Sequence, residues 1–409
     1  MQKMSRDYVK SSTDITIQPA RLSGSIAAIP SKSYAQRILI AAALASNPTN
    51  ILMDMTSLSS DISVTIKALR NIGITSDVGD GHITVMPNTG STQSKRICCG
   101  ESAATARLLL PVLCALRKRG ILMGEGSLLN RPFASLCKAL EVGGMRFSSY
   151  QLPIKWRARN RSCLQPAHFQ LPGDESSQYL SGLLFALPLL AGDSTIELTS
   201  PLQSAGYVDM TLDVLQQFGI AIEHPQAGNY RIPGNQQYVT PGTIAVEGDW
   251  SNAAFWLAAG VEVTELNLQS LQRDKLFVAV QNQAEIDVTD IPDLVPILAV
   301  WAALRKNQTY IHGIERLRLK ESDRIASTLA MLQALGCTVQ AIDDGLLVQG
   351  AGQIRGGIVD GANDHRIVMA AAVAASYAHE PVTIIGAAAV AKTYPHFFED
   401  YRYLGGVIA

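Results

Sequence analysis

Charge is scarce in this chain, and what there is cancels. Thirty-four Lys and Arg stand against 35 Asp and Glu in 409 residues, so charged residues make up 17% and the net charge is −1. No global field draws the protein to nucleic acid or to a membrane surface. Any anion it binds must be gripped by a local cluster of cations. Long apolar runs are also missing. The most apolar stretch, residues 179–192 (YLSGLLFALPLLAG), is shorter than the ~20 residues that span a bilayer and reads as a buried helix. The first eighteen residues hold no apolar core of the signal-peptide kind, so a soluble, cytoplasmic protein is expected. Only Cys98 and Cys99 of the six cysteines lie close together, with no Cys/His spacing that suits zinc. Reduced thiols and no metal are expected. Neither GxGxxG after a strand nor GxxxxGK[ST] occurs, which argues against dinucleotide and P-loop nucleotide binding.

What is abundant is apolar content, at 47%. A globular chain of this length is too long for one core and divides into two or three domains. One pattern recurs four times: an amphipathic helix, a glycine and then alternating residues that read as a hairpin. The glycines are Gly73, Gly144, Gly219 and Gly336, the first three about seventy residues apart. Each is placed to turn the chain out of its helix in the left-handed conformation. The strand turns are Gly-Asp-Gly, Gly-Asn or Asp-Asp-Gly. Self-similarity of this kind marks a repeated supersecondary unit. Because helices and hairpins mix within it, a doubly wound parallel sheet fits poorly.

Chemistry-bearing residues gather where apolar helices begin. Pro30-Ser31-Lys32-Ser33, with Arg37 a turn later, precedes ILIAAALA and has the makings of an anion site. Glu101-Ser102-Ala103-Ala104 opens a helix that carries Arg107, with side chains small enough for a ligand to approach the backbone. Arg131 stands before Pro132, which is suited to start a helix. Ser176-Ser177-Gln178 precedes the most apolar helix, and Asp293 follows Pro292 at the start of another. A dense run of charge, Arg316 to Arg324, and Asn363-Asp364-His365-Arg366 each lead into a helix. Ala391-Lys392-Thr393-Tyr394-Pro395 lies near the end. Singly, each is explained by helix capping or a solvated charged face. Together they describe one cleft rimmed by helix N-termini, built for a substrate with several negative charges.

In order and spacing, SKSxxxR, GES-A-ATAR, the NRP arginine, SSQ, IPD, LKESDR, NDHR and AKTYP resemble the EPSP synthase family of enolpyruvyl transferases from about Ile17 to the C-terminus. The resemblance implies a two-lobed, inside-out α/β barrel with three βαβαββ units in each lobe. Residues 1–29 with 247–409 would form one, discontinuous lobe and residues 30–246 the other. It implies transfer of enolpyruvate from phosphoenolpyruvate to the 5-hydroxyl of shikimate 3-phosphate, in the shikimate pathway of aromatic amino-acid biosynthesis, by a monomer without cofactors.

Carried over by position, Lys32, Ser33, Arg37, Ser176, Ser177, Gln178, Ser204, Tyr207, Asp293 and Lys320 would hold shikimate 3-phosphate. Lys32, Ala103, Arg131, Gln178, His365 and Lys392 would surround phosphoenolpyruvate, with Arg324 and Arg366 clamping its carboxylate. Asp293 and Glu321 would be the acid–base pair, assisted by Lys32. Three positions depart from the family pattern. Pro30 replaces a Gly common before SKS, Glu101-Ser102-Ala103-Ala104 replaces a common GN(S/A)GT, and Arg316 stands where some members have Asn. Ala103 in place of Gly would crowd the inhibitor glyphosate and make the enzyme tolerant of it.

Three rivals are weaker. The sister enzyme acting on UDP-N-acetylglucosamine carries Lys-Asn at the place of Lys32-Ser33 and a reactive Cys in a mobile loop. An RNA-processing relative needs more basic surface than Arg157, Arg159 and Arg161 supply. A non-catalytic binding protein would be expected to lose Asp293, Glu321 or Lys392, and all three are here.

Overall fold

The computed structural model describes residues 14–56, 58–87, 94–160 and 162–409. Residues 1–13, where no leader is expected, and Arg161 of the short basic patch lie outside the described residues. All four expected helix–glycine–hairpin units are present. Gly73, Gly144, Gly219 and Gly336 take φ of 92°, 90°, 73° and 79°, a region open to glycine because it has no Cβ to clash with the backbone. The hairpins that follow pair Thr75–Gly79 with His82–Met86, Met145–Phe147 with Ile154–Ala158, Glu223–Gln226 with Asn229–Ile232 and Thr338–Ile342 with Gly345–Gln349.

Each hairpin joins a parallel pair of strands to make a four-stranded sheet. In one such sheet Arg96–Cys98 lies parallel to Arg119–Met123, Ile154–Ala158 runs antiparallel beside that, and Met145–Phe147 forms the edge. Two further sheets of the same order are completed by strands from far along the chain. Thr243–Ala245 pairs with Thr49–Leu52, and Ile15–Gln18 enters between Val382–Ile385 and Val407–Ile408. Among the described residues there are five such sheets and a sixth of two strands, Ser25–Ala27 and Glu262–Thr264. This last unit is a shortened copy. After Glu262–Thr264 the chain passes through a 3-10 turn, Arg273–Leu276, and a four-residue helix, Phe277–Val280, and enters the next unit with no hairpin between.

One buried core draws on residues from Tyr34 to Ile244 and the second on Ile17, Leu22 and residues from Ala254 to Leu404. The first is built on helices α1 (Lys32–Leu44), α2 (Ser60–Asn71), α3 (Ala103–Leu116), α4 (Ala134–Val142), α5 (Ser177–Ala186) and α6 (Ala205–Gln217). The second is built on α7 (Trp250–Ala258), α8 (Phe277–Val280), α9 (Val295–Leu304), α10 (Arg324–Ala334), α11 (His365–Ala375) and α12 (Phe397–Tyr403). Helices α3, α5, α9 and α11 are buried over most of their length, whereas strands such as Ile154–Ala158 alternate buried with exposed. The inside-out arrangement follows from this pattern. A helix that is apolar all round must be covered on every side, and a strand with a two-residue period needs cover on only one face.

Helix α4 begins at Ala134, two residues later than Pro132 suggested, and its N-cap Phe133 supplies no side-chain bond. The Pro132 carbonyl is instead taken by the Tyr179 hydroxyl at 2.6 Å and by Arg107 Nη2 at 3.1 Å.

The chain passes between the two cores in two adjacent segments. The Ser31 amide donates to the Glu247 carbonyl and the Asp249 amide to the Ile29 carbonyl, both at 2.8 Å. The Gln272 side chain locks them. Its carbonyl oxygen accepts from Ser31 Oγ and the Trp250 amide, and its amide donates to Gly248 O at 2.8 Å. No helix among the described residues is long and apolar enough to cross a membrane.

Candidate active site

Six helices begin at one cleft between the cores. Lys32 is the first residue of α1, Ala103 of α3, Ser177 of α5, Arg324 of α10 and His365 of α11, while Ser204 is the N-cap of α6. Asp293 lies in the turn that feeds α9. Each N-terminus leaves backbone N–H groups without partners inside the helix and carries partial positive charge. The expectation of a cleft rimmed by helix starts therefore holds in three dimensions.

The cleft wall includes Lys32, Ser33, Arg37, Ala103, Arg131, Ser176, Ser177 and Gln178. Ser204, Tyr207, Asp293, Lys320, Glu321, Arg324 and His365 complete it from the same sequence-derived set. Two residues stand off the wall. Arg366 sits behind Asp293, its Nη2 3.5 Å from Asp293 Oδ2 and its Nη1 donating to Ser251 O at 3.0 Å. Lys392 donates to Glu101 Oε2 at 2.9 Å and to Asn363 O at 2.8 Å.

Asp293 is the hub. Its Oδ1 accepts from Arg324 Nη1 at 2.8 Å and Lys320 Nζ at 3.2 Å, and its Oδ2 accepts from the Tyr207 hydroxyl at 3.0 Å. Burial alone would raise this carboxyl, but Lys320, Arg366 and Arg324 outweigh it and hold the group well below the usual carboxylate range. Glu321 behaves alike. Burial pushes it up, yet Arg131 at 3.6 Å and Arg324 at 2.6 Å keep it strongly ionised. Arg324 is itself almost fully buried and also grips Asp364 through Nε at 2.9 Å.

Lys32 Nζ lies 3.0 Å from Asp61 Oδ2; burial pulls the ammonium down, but Asp61 and Glu321 together outweigh it and raise the group above its ordinary value. Burial, with Lys32 and Arg366 nearby, lowers His365 well below 6.5, so its ring is neutral. Burial also brings Arg37 and Arg107 down to about 10, which leaves both charged at neutral pH. Arg37 donates to Thr211 Oγ1 and to the Ser33 and Tyr207 carbonyls. Behind Tyr207, Asp274 is raised to about 7 by burial and by Asp293, and accepts from Ser251 Oγ.

Four guanidinium Nε groups, on Arg107, Arg131, Arg316 and Arg366, are buried without an acceptor. Buried donors are almost always satisfied in folded proteins, so four together point to an anionic ligand with many acceptor oxygens. Among the described residues no group of three or more His, Cys, Asp or Glu side chains is placed to hold a metal ion.

Two wall residues, Arg107 and Arg316, stood in clusters noted in the sequence but were given no role, and a third, Asp61, went unnoticed. Arg107 is the single cation in an otherwise apolar helix, a signal that was present in the sequence. Arg316 donates to Ser204 Oγ at 2.9 Å, joining the two halves of the cleft. Asp61 reads as an ordinary first-turn acid behind the N-cap Ser59, and nothing local points it toward Lys32.

The molecule is a two-lobed α/β protein whose interlobe cleft is walled by cations that grip two half-buried carboxylates. The family model described as EPSP synthase (3-phosphoshikimate 1-carboxyvinyltransferase) matches residues 17–281 and 259–401. A Clostridium acetobutylicum protein named 3-phosphoshikimate 1-carboxyvinyltransferase is 38% identical over 96% of this chain and 97% of its own length. A Clostridium novyi protein of the same name is 35% identical over 97% of this chain and 98% of its own. The solved EPSP synthase of Acinetobacter baumannii superposes with a TM-score of 0.80 over 98% of this chain and 100% of that one, at 23% identity, and so bears on the fold. This chain belongs to the EPSP synthase family.

Proposed function

We propose that this chain transfers the enolpyruvyl group of phosphoenolpyruvate to the 5-hydroxyl of shikimate 3-phosphate and releases phosphate. It is a transferase, and the observation that carries the reading is the set of four orphaned guanidinium donors around two ionised carboxylates. Residues 1–29 with 247–409 act as one lobe and residues 30–246 as the other. The protein acts as a cytoplasmic monomer.

Ser33, Arg37, Ser176, Ser177, Ser204, Tyr207 and Lys320 hold shikimate 3-phosphate, with Lys32 and Gln178 between the two substrates. Arg131 and Lys392 take the phosphate of phosphoenolpyruvate, and Ala103 and His365 shape its site. Arg324 and Arg366 take its carboxylate, which suits the fork of a guanidinium. Asp293 removes the proton of the attacking hydroxyl. Glu321, with Lys32 beside it, delivers a proton to the methylene carbon. The resulting tetrahedral adduct returns that proton to Glu321 and expels phosphate, which leaves with the proton held on Asp293.

The charges around the two carboxylates constrain this scheme. Both carboxylates are held ionised by the same cations that would grip the substrate anions. An anion that engages Arg131, Arg324 and Lys320 weakens their pull, so Asp293 becomes a stronger base and Glu321 can acquire the proton it must deliver. Substrate binding thus arms the acid–base pair. A phosphate-release assay with phosphoenolpyruvate decides the acceptor. Turnover with shikimate 3-phosphate and none with UDP-N-acetylglucosamine is expected, and the reverse would overturn the reading.

A further inference from the structure

At the far end of the cleft a single carboxylate gathers four loops. Glu101, in the turn before α3, accepts from Lys392 Nζ at 2.9 Å and from Asn363 Nδ2 at 3.3 Å, both in the second core's part of the chain. From its own side it accepts the Ser127 hydroxyl at 3.1 Å and the Ser127 amide at 3.4 Å. Ser127 belongs to the 3-10 turn Gly126–Asn130, and Arg131 follows directly.

Two backbone features shape the junction. Gly126 has φ of 51°, and a Cβ there would lie 2.4 Å from Glu101 Cδ, so only glycine leaves the carboxylate its place. Asn363 also has φ of 50°, a conformation that Asn tolerates better than most residues. In that conformation its carbonyl receives Lys392 at 2.8 Å while its side chain donates to Glu101. The Glu101 and Lys392 side chains are 33% and 14% exposed, so the pair is partly shielded from solvent. An ion pair held by extra hydrogen bonds and shielded in this way is stronger than an open surface pair.

We propose that Glu101 is a cross-lobe latch: a positioning residue whose carboxylate holds Lys392 from one lobe and, through Ser127, the loop carrying Arg131 from the other, so that closing the cleft and assembling its phosphate-binding cations are one event. The latch rests on geometry alone, and its effect on phosphoenolpyruvate rests on the function proposed above. The carboxylate stays ionised, because Lys392 and the Ser127 donors outweigh the cost of its partial burial. It never touches the reacting atoms in this scheme. Its role is to set where Lys392 and Arg131 stand before an anion arrives, which lowers the ordering cost of binding that anion.

The test compares wild type with Glu101→Gln, Lys392→Met and the double variant by hydrogen–deuterium exchange and by steady-state kinetics. Glutamine keeps an acceptor for Ser127 and removes only the charge. Exchange in residues 386–394 and 124–131 should rise about 3- to 10-fold in each single variant, with the double variant no worse than the singles, because one interaction is lost in all three. In Glu101→Gln the KM for phosphoenolpyruvate should rise about 3- to 10-fold, more than the KM for shikimate 3-phosphate and more than kcat falls. Unchanged exchange in residues 386–394 of Glu101→Gln, or additive effects in the double variant, would overturn the latch. Coupled exchange in a protein that turns over neither proposed substrate would leave the latch standing and remove the proposed function. Gly126→Ala displaces the carboxylate without changing its charge and should reproduce the exchange pattern.

Discussion

The Tyr207 hydroxyl, at the start of α6, donates to Asp293 Oδ2 at 3.0 Å, and Asp293 lies in the opposite half of the cleft. The same carboxylate meets Lys320 and Arg324, so one acidic group ties a tyrosine of one core to a lysine and an arginine of a single charged run in the other. Asp293→Asn should therefore cut turnover by roughly 10²–10⁴-fold, the usual contribution of a positioned proton acceptor. Substrate binding, followed by calorimetry, should survive. Glu321→Gln should lose a similar factor. Near-normal turnover in either variant shows that its role was misassigned.

Between about pH 5 and 6.5 two buried groups act on stability in opposite directions. The His365 ring is lowered well below its ordinary 6.5 in the fold, so the unfolded chain binds the extra proton and stability falls as pH drops below 6.5. Asp274 is raised from 3.8 to about 7, so the folded chain binds the extra proton and stability falls as pH climbs from 3.8 toward 7. The slopes have opposite sign over the shared window. Asp274→Asn should expose the His365 slope, with a melting temperature lower at pH 5 than at pH 6.5. His365→Gln should expose the reverse. Melting curves with the same pH profile as wild type in both variants would refute the pairing.

Gly182 marks the closest approach of α5 to α3. A methyl there would lie 2.5 Å from the Arg107 carbonyl and 3.0 Å from Pro111 Cγ, neither of which belongs to a flexible side-chain end. Gly182→Ala should cost about 1–3 kcal/mol by overpacking, more than the ~0.5–1 kcal/mol that alanine returns in a helix. Denaturant unfolding followed through the core that contains α3 and α5 should show a lower midpoint. An unchanged or higher midpoint would show that the helices can part at little cost.

Ala103 is buried on the cleft wall as the first residue of α3. Its methyl should crowd glyphosate, which is longer than phosphoenolpyruvate, more than it crowds the substrate. One methyl in a tight site is worth about 1–3 kcal/mol, or roughly 5- to 150-fold in inhibitor affinity. Ala103→Gly should therefore bind glyphosate that much more tightly, with a smaller change in the KM for phosphoenolpyruvate. Equal inhibition constants for wild type and Ala103→Gly would end the steric argument.

Much of the fold was legible because its signals are local. A bulky residue and Gly at a helix end, then alternating residues, specify a C-cap and a hairpin within about twenty positions, so Gly73, Gly144, Gly219 and Gly336 needed no tertiary information. The same holds for Lys32, Ala103, Ser177, Arg324 and His365, each written next to the apolar run whose helix it opens. The shortened unit at Glu262–Thr264 was not legible, since a missing hairpin leaves only an irregular gap between two helices.

What the sequence by itself determined is the repeat, the helix starts and the kinds of charge they carry, because each depends on neighbours along the chain. Only the tertiary structure decided which polar groups meet. Lys32 finds Asp61, Arg316 finds Ser204 and Lys392 finds Glu101 across 291 positions, and no pattern in the sequence relates the members of these pairs. The physical reason is range. Backbone propensity acts over a few residues, whereas an ion pair forms only when folding brings two distant segments within about 4 Å, and there burial decides which partner each charge must take.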